Sequence, residues 1–272
     1  MNAWDGGLVM GAWCRVLRAG CLVLLCAGQA SAQDRPFLFS ITTTSDAGTP
    51  ALRVDYDVGA GERAFQSGTD NQPEQRVGVQ ASKGRLTLVG RVGLVSSGSA
   101  YQSSQAGEVL LSIITPSPHI ALAAGGGVLR EANGTDVLLA RIVGGRESAS
   151  WRLHGNLLFQ KALTSDRDAI DLITTVGWAA KITPAVAIGV EGVGEDLEGF
   201  WDPAEAEGGA RILIGPSVHV APHGRKWQFT ATGGPAFHPS DSGRSSLALR
   251  DLPPTAQRVG YAVKVGLTYK LF

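Results

Sequence analysis

The residues best suited to proton transfer in this 272-residue chain are five histidines, His119, His154, His219, His223 and His238. Only His154 stands among partners of a hydrolytic type, with Ser150 and Asn156 on the same side of an alternating segment. A serine nucleophile must lie within hydrogen-bond reach of its imidazole. Ser150 is four residues away, about 13 Å along an extended chain, so His154 reads as a side chain facing an interior. An acidic run, Glu191, Glu195, Asp196, Glu198, Asp202, Glu205 and Glu207, has oxygen ligands suited to Ca²⁺ or to bridging lipopolysaccharide through divalent ions. Its spacing matches no ligand loop, and it reads as a solvated connection. Gly125-Gly126-Gly127 and Gly233-Gly234 fall inside extended segments, where glycine permits bends and close packing. All three cysteines, Cys14, Cys21 and Cys26, precede residue 33, so the rest of the chain has no disulfide and no thiolate site. No cofactor, metal site or catalytic set is expected.

A second group has mixed charge: Arg91, Arg152, His154, Asn156, Gln160, Asp171, Lys181, Arg211, His219 and Lys264. Such a set would line an aqueous lumen of weak selectivity, or pair within a plugged interior. What must position these residues is a series of β-strands, because successive side chains of a strand point to opposite faces. Over 149–160, Trp151, Leu153, Leu157 and Phe159 oppose Arg152, His154, Asn156 and Gln160. Over 171–182, Leu172, Val176, Trp178, Ala180 and Ile182 oppose Asp171, Thr175 and Lys181. Residues 210–220, 226–238 and 258–270 repeat the pattern, with Arg211 and His219, then Gln228 and Thr230, then Lys264 on the polar side. Weaker alternation covers 37–44, 52–58, 77–81, 86–95, 109–114, 120–129, 137–143 and 186–190.

These segments make 13 candidate strands, many long enough to cross a bilayer at a tilt, for which about 9–11 residues suffice. Short connections (82–84, 115–118, 144–147, 183–184, 221–224) mostly alternate with longer polar ones (59–74, 96–106, 162–169, 194–208, 239–255). The expected fold is a single up-and-down antiparallel transmembrane β-barrel. Bacterial barrels carry an even number of strands. A short strand near 63–66 gives 14, which is the expectation. The alternative is 12, with Phe37–Thr44 outside the wall.

Formal net charge is zero, which lacks the basic footprint of a nucleic-acid binder. Mean hydropathy is +0.06 and charged residues are 18%, an average that suits one apolar and one polar face. Arg15 and Arg18, an apolar run 21–27 and Ala30-Ser31-Ala32 form a secretory signal, so residues 1–32 are expected to be removed and 33–272 to form the barrel. A start at Met10 would give a more ordinary signal. Trp151, Trp178, Trp227, Tyr261 and Tyr269 are expected at the membrane interfaces.

The chain resembles bacterial outer-membrane β-barrel proteins in ending on an alternating strand with a terminal aromatic. Tyr269, Leu271 and Phe272 look like the insertion signal of that class, although Phe272 is out of phase with the residues from Tyr261 to Leu271. The resemblance implies an outer-membrane location, contact with outer-membrane lipids and lipopolysaccharide, and handling by the barrel-assembly machinery. Three functions remain: a passive porin-like channel or structural barrel with unidentified cargo, an outer-membrane lipid hydrolase, and a soluble exported β-sandwich.

Overall fold

A strand with one apolar and one charged face must hide one of them, and this chain turns the charged face inward. The structure, a computed structural model, describes residues 34–43, 49–61, 74–97, 100–164, 170–195, 197, 211–237 and 259–271. The described residues form twelve strands: β1 Ala51–Gly61, β2 Glu74–Lys83, β3 Leu86–Ser97, β4 Ala100–Ser112, β5 Ile120–Arg130, β6 Asp136–Glu147, β7 Trp151–Ala162, β8 Asp171–Lys181, β9 Val186–Glu195, β10 Arg211–Val220, β11 Trp227–Phe237 and β12 Val259–Lys270. Each pairs antiparallel with its sequence neighbours. β1 also pairs with β12, from Arg53 opposite Lys270 to Gly61 opposite Ala262, which closes the sheet into a barrel.

The outer surface is apolar. Val77 and Val79 on β2, Leu153 and Leu157 on β7, Val176 and Trp178 on β8, and Val263 and Leu267 on β12 are all exposed. The buried positions between them are polar: Gln80, Arg152, His154, Asn156, Thr175, Lys264 and Thr268. This inverts the arrangement of a water-soluble domain. It matches a barrel in hydrocarbon, where closure pairs every backbone group and the apolar side chains meet lipid. The sheet is single and closed, which sets aside the sandwich.

The strand count is 12 rather than 14. β1 pairs directly with β2, from Ala51 opposite Ser82 to Gly59 opposite Glu74, so no strand lies between them. Residues 63–66 themselves fall outside the described residues. Residues 37–43 take no rung in the sheet and lie inside the barrel. Two connections also differ from expectation. β3 and β4 run on until Ser97 faces Ala100, so the stretch 96–106 is mostly strand. The stretch reads as a loop because 102–105 are all polar (Gln102, Ser103, Ser104 and Gln105), so the apolar phase of a wall strand is absent from them. β6 runs through Glu147, and the turn falls at 148–150.

One end of the barrel carries compact turns. Lys83 pairs with Leu86 across Gly84-Arg85, and Gly84 adopts φ +58°, as a two-residue hairpin turn requires. β1, β7, β9 and β11 end at the other rim.

Candidate functional site

The interior is occupied by the chain itself. Residues 34–43 enter at the compact-turn end, reach mid-barrel and return to that end. Thr42 Oγ1 donates to the Asp34 carbonyl at 3.0 Å and closes the neck. The wall meets this segment with side chains. Gln228 Oε1 accepts from Arg35 N (3.1 Å), and Thr230 Oγ1 donates to Arg35 O (3.2 Å). The two Glu191 oxygens accept from Leu38 N (3.1 Å) and Phe39 N (2.5 Å). Asn156 Oδ1 accepts from Ile41 N at 2.7 Å, and its Nδ2 donates to Ile41 O at 3.0 Å. Gln80 Nε2 donates to Thr42 O at 2.9 Å. Ser40 Oγ and Thr175 Oγ1 share a hydrogen bond of 3.0 Å. An extended backbone buried without sheet partners must find donors and acceptors elsewhere, and the lumen side chains supply them.

The strongest attachment is ionic. Arg35 donates from Nη1 and Nη2 to the two oxygens of Asp57, at 2.6 and 2.8 Å, and from Nη2 to Leu38 O at 3.0 Å. The paired side chains are 8% and 3% exposed. Asp55 lies 3.7 Å from the same guanidinium, and Lys264 lies 3.8 Å from Asp57. At the compact-turn mouth Asp34 accepts from Gln228 Nε2 (2.8 Å) and from Lys270 Nζ, and Arg152 Nη1 stands 3.9 Å away. Burial works to raise the Asp34 carboxyl, but Lys270 and Arg152 outweigh it and hold the group below the ordinary carboxylate range, as an anion.

Apolar contacts seat the same segment. Phe37 packs with Ala179 and Ala187, and its ring lies 5.9 Å from that of His154. Ile41 clusters with Val89, Leu110, Ala123 and Val143. Phe39 lies beneath Lys264 Nζ, 5.1 Å from the ring centre, and against Leu213 and Ala236. Two wall glycines are notches. A Cβ on Gly177 would stand 2.4 Å from the Phe37 ring, and one on Gly266 would stand 2.5 Å from Leu38 Cδ2. Beside the segment a cavity of about 30 Å³ remains near Arg53, Arg76 and Arg91, room for no more than a water or two. Filling the first notch should unseat the plug: in Gly177→Leu, a cysteine placed at Ile41 should react with a membrane-impermeant maleimide faster than the same cysteine opposite Gly177. Overpacking of this kind costs about 1–3 kcal/mol, so the rate should rise by about 5- to 150-fold. Equal rates would show that Phe37 does not depend on the notch.

The charged and polar residues singled out in the sequence fall into three sets. Asn156, Lys264, Arg152 and His154 meet the segment as described. Arg91, Gln160, Asp171 and Lys181 do not. Arg91 pairs with Glu108 at 3.6 Å, Gln160 and Asp171 are buried facing positions on β7 and β8, and Lys181 Nζ donates to Ser148 O at 2.7 Å. His219 is buried on β10, with Nδ1 at 3.1 Å from Thr230 Oγ1. Of Arg211 only the backbone is described, opposite Glu195. The acidic run is divided: Glu191 and Glu195 belong to β9 and point inward, while Asp196, Glu198, Asp202, Glu205 and Glu207 lie outside the described residues. Asp34, Arg35, Arg53, Asp57, Glu108 and Arg141 were not singled out, and Glu191 was read as part of a solvated connection rather than of the interior. Arg53 and Asp57 were visible as the polar phase of 52–58, whereas nothing in Arg35-Pro36 signals an interior.

Among the described residues neither buried histidine is hydrogen-bonded to a serine. His154 Nε2 meets Glu147 Oε1 at 3.2 Å and its Nδ1 has no partner; His219 Nε2 likewise has none. His238 lies outside the described residues. Trp178, Trp227 and Tyr261 are exposed on the outer face. Trp151 packs with the Arg146 guanidinium 5.9 Å from its ring, and Tyr269 sits opposite Trp227. Leu271 N donates to Leu52 O at 2.8 Å; Phe272 lies outside the described residues.

No protein-family model matches the chain. No curated protein matches it either. Solved structures do. The NanC porin superposes with a TM-score of 0.54 and 8% identity, covering 80% of this chain and 100% of that one. The KdgM porin, determined in complex with disordered oligogalacturonate, gives a TM-score of 0.51 and 8% identity, covering 80% of this chain and 98% of that one. At such identity the likeness concerns architecture alone. With the apolar exterior and charged interior, it identifies the fold as a closed antiparallel β-barrel of the bacterial outer-membrane type.

Proposed function

We propose that the chain is an outer-membrane channel of the porin type, with unidentified cargo, whose path is filled in this conformation by residues 34–43. The observation that carries this reading is how the segment is held. It takes no rung in the sheet, and its polar contacts are with wall side chains, so it can leave without breaking the barrel. A twelve-stranded barrel lies between the filled eight-stranded type and the open porins of about 16–18 strands. Its walls, cleared of the segment, would present Arg53, Asp57, Arg91, Glu108, Arg141 and Lys264 to water. The outward aromatics support anchoring at the two interfaces, and residues 1–32 are consistent with an export signal that cleavage removes.

Reconstitution tests the reading. The mature chain refolded into liposomes should show heat-modifiable gel mobility and a small but measurable uptake of ions. Ion-tight liposomes, both for this chain and for variants that release the segment, would contradict it.

A further inference from the structure

At the compact-turn mouth, Asp34 leaves part of the surrounding basic cluster unengaged. Lys270 and Gln228 engage one carboxylate oxygen, Oδ1. The other, Oδ2, is 3.9 Å from Arg152 Nη1, too far for a hydrogen bond. Arg152 is 6% exposed, yet its Nε and Nη1 have no hydrogen-bond partner, and the buried His219 Nε2 has none. A buried guanidinium with idle donors is costly, and a planar fork of this kind suits a carboxylate taken by two parallel bonds. The backbone keeps Asp34 from supplying them, because its carbonyl is bound by Arg53 Nη1 at 3.1 Å and by Thr42 Oγ1. A free solute has no such tether. The Asp34 side chain is 36% exposed, so the site opens to the mouth. The other charges near it are Arg53, which is paired with Asp55 at 3.3 Å, and Glu147, which lies beside Lys181 at 3.9 Å and beside His154.

We propose that this mouth binds carboxylate-bearing solutes, that Asp34 is its resident occupant, and that a solute carboxylate engaging Lys270, Arg152 and Gln228 displaces Asp34 and favours release of the N-terminal segment. The inference rests on the channel reading. Asp34 competes as a tethered ligand at an effective concentration on the order of millimolar, so the solute acts at that concentration or above.

The test records the mature chain in planar bilayers with citrate added to one chamber at a time. Citrate on the compact-turn side should raise the open fraction saturably, and KCl of equal ionic strength should not. Arg152→Gln should lose the response, and Asp34→Asn should open without citrate. The chain lacking residues 34–43 should conduct regardless. An equal response to KCl, or no response to citrate while the deletion variant conducts, would overturn the carboxylate site and leave the channel standing. A silent deletion variant would overturn the channel reading instead.

Discussion

Deletion of residues 34–43 should convert a nearly closed barrel into an open one, with time-averaged conductance rising by about 10- to 1000-fold. The range follows from the population of a displaced state a few kcal/mol above the docked one, about 0.1–10%. The barrel itself should survive. All twelve strands pair with one another and none pairs with the segment. The groups uncovered are mostly polar or charged, including Asn156, Glu191, Gln80 and Asp57, and water can satisfy each of them. Bilayer recording beside the unmodified chain checks the conductance, and heat-modifiable mobility checks the fold. A folded deletion variant with unchanged conductance would show that the segment does not control the path.

Asp57→Asn should open the channel almost as effectively without shortening the chain. In the docked state the change leaves Arg35 buried with a neutral amide in place of its bidentate carboxylate and with Asp55 at 3.7 Å, and removes a carboxylate 3.8 Å from Lys264. Removing one partner from a buried ion pair costs about 3–5 kcal/mol, and tenfold corresponds to about 1.4 kcal/mol, so the docking equilibrium should weaken by roughly 100-fold or more. In the released state water reaches position 57 and the penalty largely disappears, so the loss falls on docking rather than on the barrel. Asp136→Asn is the contrast. Its pair with Arg130 has side chains 61% and 58% exposed, and exposed pairs contribute about 0–1 kcal/mol. Open probability should change in the first variant and not in the second. Equal behaviour of the two would mean that the Arg35–Asp57 pair does not hold the segment.

The wall was legible because lipid enforces alternation. Leu153 and Leu157 face out and Arg152, His154 and Asn156 face in, as the periodicity of 149–160 requires. The occupant was not legible. Phe37, Phe39 and Ile41 alternate with Leu38, Ser40 and Thr42 as a wall strand would, yet both phases are covered, one by apolar clusters and the other by polar wall groups. An extended segment buried inside a barrel has no lipid face, and period two cannot separate it from the wall. Three consecutive apolar residues, Phe37-Leu38-Phe39, were the available warning. Glu191 was hidden differently. It follows the 186–190 segment and reads as the start of the acidic connection, but β9 continues through Glu195 and turns Glu191 inward. Asp34 and Arg35 could not be assigned at all, because their partners lie on β1, β11 and β12, up to 236 residues away.

A reversible lock tests most directly whether the segment is the gate. Ser40 Oγ and Thr175 Oγ1 are 3.0 Å apart, so cysteines at both positions place their sulfurs close enough to bond, and the chain beyond residue 32 has no native cysteine to interfere. In the Asp57→Asn background, Ser40→Cys with Thr175→Cys should be closed when oxidised and should open stepwise in the bilayer when a reductant is added. A conductance indifferent to a disulfide shown to have formed would contradict the gate.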